Sequence, residues 1–289
     1  MIGVLVPEGS ARHLGIFRAA VGLYTTVYLI VRAPSFLSLA TNDAQRFDPV
    51  GIGRILTGPP PAALIHLLFG ATIVLGAAVT VGAAHRIIGP LFGLAVLALF
   101  TWRSSWGQIL WFENLVAVHA LVVGFSPSAD AITWLRRSST APDHQRYGHP
   151  VQLAALITVT TYLVSGIAKL RIGGLGWATG DTLANHIGFS AQRLAVFGER
   201  QPVAADLLLD HTALLTVAAI ALLGLELGAP IIVLTGRRIR WSWSAAMVAA
   251  HIGIALTMSV VFAYHLIGLA ILPVLLARDP RATATAEAG

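Results

Sequence analysis

The chain has 289 residues, of which 56% are hydrophobic and only 11% charged, with a formal net charge of +6 and a mean hydropathy of +0.77. A soluble domain carries roughly 25% charged residues, so a single water-soluble core is excluded: the apolar surplus would lie on the surface in large patches. Cysteine is absent, which excludes disulfides, thiolate nucleophiles and cysteine-ligated zinc or iron–sulfur centres.

The chain starts with MIGVLVPEGSARH, which lacks the basic start, apolar stretch and small-residue cleavage site of a secretory signal. Residues 1–13 therefore read as an N-terminal tail. Apolar runs follow at 14–31, 62–82, 86–102, 109–125, 150–170, 211–235, 243–261 and 264–277. About 20 apolar residues cross a bilayer as a helix, and helices satisfy their own backbone groups in lipid. The pattern predicts an all-α, polytopic integral membrane helix bundle of about seven to eight spans. It forms one domain over 14–278, with 279–289 as a C-terminal tail. The last two runs are nearly fused, and a break is expected at Phe262–His265.

The connections differ in character. Residues 32–61 read as a proline-punctuated loop, and 134–149 are polar, with Arg136, Arg137 and Arg146. Residues 171–210 are amphipathic, with room for one or two interfacial helices. Arg237, Arg238 and Arg240 cluster beside Trp241 and Trp243. Basic residues are enriched in cytoplasmic loops and tryptophan at membrane interfaces, so this loop is expected to be cytoplasmic. Arg278 and Arg281 fall on the same side, as do both termini. The positive charges lie between apolar runs rather than on one soluble face, which speaks against a nucleic-acid partner and leaves membrane lipid as the expected one.

An ionisable group inside a span costs about 2.5–3.5 kcal/mol on insertion scales, so each needs a reason. Lys169, the only lysine in the chain, closes the stretch YLVSGIAKL. On a helix Tyr162, Ser165 and Lys169 share one face, and Gly166 admits a close neighbour. The ordinary reading is that Lys169 snorkels to the interface. The alternative turns it into the bundle, where loss of water favours a neutral amine able to act as base or nucleophile. Glu113 and Asn114 lie near the middle of their run and need partners, while His119 points to a different neighbour. Glu226 is bracketed by Gly224 and Gly228, a pattern for a tight helix crossing, and Arg18 is the expected partner for its charge. His251 and His265 read as separate structural histidines. The HExxH, GxSxG and GxxxxGK[ST] patterns do not occur, so metalloprotease, hydrolase-elbow and P-loop chemistry are not expected, and no metal site is assigned.

The stretches SSWGQILWFENLVAVHALVVGFSPSAD and YLVSGIAKLRIGGLGWATGDTL, with FRAAVGLY and HIGIALTMSVVFAYHLIGLAILP, resemble the bacterial HTTM (horizontally transferred transmembrane) family. That family is related to the membrane part of vitamin K-dependent gamma-carboxylase. The resemblance covers about residues 10–278. It implies a bacterial inner (plasma) membrane protein and a lipid hydroquinone cofactor, menaquinol or vitamin K-like. Lys169 would be the base toward the quinol, whose oxygenation with O2 generates a strong base. At the place of a catalytic histidine of the carboxylase this chain has Ile109, and the carboxylase's large extramembrane domain has no counterpart.

The resemblance and the polar set together make Lys169, Glu113, Asn114 and His251 the candidate catalytic residues. Tyr162, Ser165, Trp106 and Trp177 are the candidate cofactor-binding residues. A different class stays open: a non-catalytic quinone- or lipid-binding subunit, or a redox-associated membrane subunit. Convergence of the four catalytic candidates favours chemistry, and individually paired groups favour the subunit. A transporter would show inverted repeats, and none is visible.

Overall fold

The computed structural model describes residues 9–133 and 144–275. Arg136, Arg137, Arg278 and Arg281, both predicted tails except for residues 9–13, and the end of the last predicted span lie outside the described residues. Within them the chain is all-helical, with no strand. In chain order the helices are α1 (Ala11–Leu39), α2 (Ala62–Val81), α3 (His85–Ser104), α4 (Trp111–Gly124) and α5 (Gln145–Gly173). They continue with α6 (Asp181–Val196), α7 (Ala205–Leu209), α8 (Thr212–Leu227), α9 (Ala229–Ile232), α10 (Arg237–Met258) and α11 (Ala263–Leu275).

By length and composition, α1, α2, α3, α10 and the stretch Gln145–Trp177 are long and apolar enough to cross a membrane. The chain is therefore read as an all-α membrane protein. α4 and α8 are apolar but shorter, with 14 and 16 residues, or about 21 and 24 Å at 1.5 Å per residue.

The differences from the sequence reading have local causes. α1 runs through Pro34 to Leu39, so the loop predicted from residue 32 starts later. A proline removes one ladder hydrogen bond but need not end a helix. The expected span 211–235 is two pieces. Pro230 has no N–H to give the carbonyl of Glu226 four residues back, and the ladder is interrupted at Gly228. The expected break at Phe262–His265 falls earlier, at 259–262. Ser259 adopts a left-handed φ of 54° and its N–H returns to the Ala255 carbonyl, closing α10. The 171–210 stretch contains α6 and α7, as its amphipathic pattern anticipated.

The described residues form two compact units, 9–133 and 144–154 with 275 in the first and 155–274 in the second. In the first, the helices approach at glycine. A Cβ on Gly22 of α1 would stand 3.0 Å from the Gly76 carbonyl oxygen of α2. A Cβ on Gly93 of α3 would stand 3.0 Å from the Ala120 carbonyl oxygen of α4. Small residues let apolar helices pack at backbone distance, where no hydrophobic force draws them together in lipid. An aromatic cluster fills this unit, with Tyr28 edge-on to Phe36, Phe100 and Phe112 at 5.5–6.3 Å between ring centroids. The second unit has its own core, where Leu183, Ile187 and Ala191 of α6 pack with Leu215, Ala219 and Leu223 of α8 and with Trp177. In this unit α5 and α8 approach at Gly166, where a Cβ would meet Glu226 Cβ at 3.1 Å and Leu227 Cδ2 at 3.0 Å. The expected tight approach at Gly224 is not made: a Cβ there would have nothing within 4 Å.

Candidate functional site

Lys169 stands in the last two turns of α5, one turn after Ser165 and two after Tyr162. Its ammonium is not extended to solvent. It donates to Ser165 Oγ at 3.0 Å and forms an ion pair with Glu226 Oε1 of α8. Its side chain is 17% exposed and that of Glu226 6%. Ser165 Oγ donates to the same Glu226 oxygen at 3.2 Å. The glycine at 166 makes this possible: without a side chain there, α8 comes close enough for its carboxylate to reach the α5 stripe. The indole of Trp177, at the end of the helical stretch, lies 5.3 Å from the Lys169 nitrogen and stacks on the His186 ring at 5.6 Å. A cation over a tryptophan face gains about 0.5–2 kcal/mol, depending on exposure.

Tyr162 continues the stripe into a ring cluster. Its ring meets Trp243 at 5.6 Å and both His251 and His265 at 5.8 Å, all near edge-on. His251 and His265 stack at 5.7 Å, and His251 Nδ1 bonds the Met247 carbonyl at 2.8 Å. Tyr162 is 4% exposed and Glu226 5%. Yet the Tyr162 hydroxyl and Glu226 Oε2 have no hydrogen-bond partner.

Of the residues singled out in the sequence, Lys169, His251, Tyr162, Ser165 and Trp177 belong to this second unit, and Glu113, Asn114 and Trp106 to the first. Glu113 is fully buried and engaged on both oxygens: Tyr28 donates to Oε1 at 2.5 Å and Arg103 pairs with Oε2 at 3.0 Å. The Arg103 guanidinium also lies 5.4 Å from the centre of the Phe36 ring. Asn114, expected to need a buried partner, is exposed: next to Glu113 on the helix, it faces about 100° away. Trp106 packs on Phe47 at 5.1 Å and Trp102 at 6.2 Å. His119 bonds the Ala154 carbonyl at 3.1 Å, a neighbour different from those of Glu113, as the helical geometry required.

The expected pairing of Glu226 with Arg18 is corrected. Glu226 takes Lys169. Arg18, with 0% exposure, donates to the carbonyl oxygens of Ser128 at 3.3 Å and Thr80 at 3.4 Å. Thr80 lies in the last turn of α2, where unpaired carbonyls carry partial negative charge. The end of that helix thus replaces a carboxylate. Sequence reasoning missed Tyr28 and Arg103 as the partners of Glu113, and Glu226 as the partner of Lys169. The signal for the latter was the glycine at 166, which marks a close crossing without saying which helix fills it.

Among the described residues, no three His, Asp or Glu side chains gather as a metal site would require. The Lys169 stripe offers an ammonium, one unused carboxylate oxygen, one unused phenol donor and two indoles. That set suits a neutral, ring-bearing polar ligand better than a metal ion. No family model matches the chain, and neither a curated protein nor a solved structure matches it.

Proposed function

We propose that the chain is a bacterial inner-membrane protein of about seven to eight spans, akin to the HTTM family, that binds a lipid hydroquinone of the menaquinol or vitamin K type. Lys169 is its base. α4 and α8, which are shorter than a full span, are counted among the crossings. Bound at the Lys169 stripe, the hydroquinone would supply, on oxygenation with O2, a base strong enough to remove a proton beside a carboxylate. The chain's own part is smaller. Ser165 and Glu226 fix the Lys169 nitrogen, and Trp177 covers it. Once the proton of the pair passes to Glu226, Lys169 becomes a free amine that can accept one from the ligand. A free amine beside the ligand is what general base catalysis uses.

The observation that supports this reading is the enclosure of Lys169: a snorkelling lysine would not be tied by its ammonium to Glu226 and Ser165. Arginine keeps the charge but cannot become neutral. Lys169→Arg should therefore fold, insert and bind quinol, and should lose quinol-dependent oxygen consumption. Full activity in the arginine variant sinks the base and favours the second reading, a non-catalytic quinone- or lipid-binding subunit. In that case the Lys169–Glu226 pair is only a clasp between α5 and α8.

Orientation has its own test. The Arg237, Arg238 and Arg240 cluster is the densest positive loop, which supports a cytoplasmic position. A reporter active only in the periplasm, fused after Arg240, should be silent. Strong activity there inverts the topology.

A further inference from the structure

The unused atoms of the Lys169 site are complementary. Tyr162 is 4% exposed and its phenol O–H donates to nothing. Glu226 is 5% exposed, and its Oε2 accepts nothing, while Oε1 takes both Lys169 and Ser165. A buried polar group left without a partner costs about 1–3 kcal/mol, and buried groups are paired as a rule. Here a donor and an acceptor stand unpaired in one unit: Tyr162 lies one turn before Ser165 on the same face of α5, and Ser165 Oγ donates to the other oxygen of Glu226. A hydroxyl is the neutral group that answers both: a lone pair accepts from Tyr162 and its hydrogen is donated to Glu226.

We infer that Tyr162 and Glu226 form a recognition pair for one hydroxyl group of an aromatic ligand, with Glu226 Oε2 accepting the hydroxyl proton in a hydrogen bond and Tyr162 donating to the hydroxyl oxygen. This rests on the reading of the Lys169 stripe as a ligand site, and it deepens that reading. It names the feature selected, a free ring hydroxyl, and two residues that select it, one of them absent from the sequence-based set. Lys169 and Ser165 support this contact by holding Oε1, so that Oε2 is presented to the hydroxyl. An ether or a quinone carbonyl in place of the hydroxyl has no hydrogen to give and leaves Glu226 Oε2 unmet. A site built on buried polar groups rejects a ligand that leaves them unpaired far more strongly than an apolar pocket rejects a change of shape. The reduced, hydroxyl-bearing form of a quinone is thereby preferred over the oxidised form.

The test uses the full-length protein in lipid nanodiscs with two probes, 1-naphthol and 1-methoxynaphthalene, which share the ring and differ in the hydroxyl hydrogen. Affinities are referred to the membrane-dissolved concentration. The wild type should bind 1-naphthol about tenfold more tightly, the equivalent of one charge-assisted hydrogen bond. Tyr162→Phe removes the donor to the ligand oxygen, which a hydroxyl and an ether both accept, and should weaken both probes by about fivefold. It removes a hydroxyl that bonds nothing in the folded protein, so the variant should remain folded. Glu226→Gln should abolish most of the preference, since a carboxamide is a weaker acceptor than a carboxylate.

Equal binding of the two probes, or of neither, overturns the inference; a water molecule then suffices for the pair. So does a hydroxyl preference that survives Glu226→Gln, or a 1-naphthol affinity that Tyr162→Phe leaves unchanged. The two readings fail separately. A Glu226-dependent hydroxyl preference in a protein that consumes no oxygen with quinol keeps the recognition pair and removes the enzyme. Lys169-dependent oxygen consumption without that preference does the reverse.

Discussion

The two units each hold a buried carboxylate paired with a cation, and the two carboxylates are treated in opposite ways. Both oxygens of Glu113 are engaged, one by Tyr28 and one by Arg103. Glu226 receives Lys169 and Ser165 on one oxygen and nothing on the other. The cations differ to match. Arginine offers a planar, permanently charged fork suited to a fixed pair, whereas lysine offers a point charge that can give up its proton. The tyrosines differ too: that of the first unit is bonded, that of the second is not. A saturated network has nothing left to offer a ligand and serves to fix helices. An unsaturated one of similar composition keeps capacity for something else. Carboxylate, cation and tyrosine occur in both places, so residue type alone could not have separated clasp from site.

The comparison can be broken first at the saturated pair. Arg103→Leu leaves Glu113 charged and buried without its cation, and should cost about 3–5 kcal/mol, read as a lowered midpoint for unfolding in mixed detergent. The double variant Arg103→Leu, Glu113→Leu should recover part of that loss. If the double variant equals the sum of the singles, the pair is not coupled.

The tyrosines sharpen the contrast. Tyr28→Phe removes the donor to Glu113 Oε1 and should cost about 1–3 kcal/mol. Tyr162→Phe removes a buried hydroxyl with no partner and should cost nothing, raising stability by up to about 1–3 kcal/mol. Equal losses for the two would mean that the second network is as saturated as the first. The smallest effect is expected at Asn114, which is exposed: Asn114→Ala should stay within about 0.5 kcal/mol of wild type. A large loss there would place Asn114 back among the buried groups that its sequence position suggested.

The helices were legible wherever apolar runs were long. Among the described residues five stretches are long enough to span, and each matches a run read from composition. What composition could not show was how helices end: Ser259 takes a left-handed φ at a position without glycine, and α1 carries Pro34 inside it. At the site, the face shared by Tyr162, Ser165 and Lys169 followed from helical periodicity, and the gap at Gly166 from its missing side chain. The identity of the partner did not follow. A span with a lone charge announces that a partner is needed, but several charges of opposite sign compete for it, and tertiary packing decides. Arg18 shows the limit most clearly, because its partners are backbone oxygens, which every residue has.

One consequence of the single lysine lies outside stability and mechanism. Every other basic side chain apart from histidine is an arginine, so Lys169 is the only side-chain amine available to an acylating reagent. It is also tied to Glu226, so a reagent reaches it only when the pair opens. The extent of amine acylation, measured by mass on the peptide that contains Lys169, therefore counts openings of one contact in a whole membrane protein without introducing a label. Any compound that holds the pair shut slows that count, and any compound that draws Glu226 away speeds it. The protein thus carries a built-in chemical reporter for screening ligands before any activity assay exists.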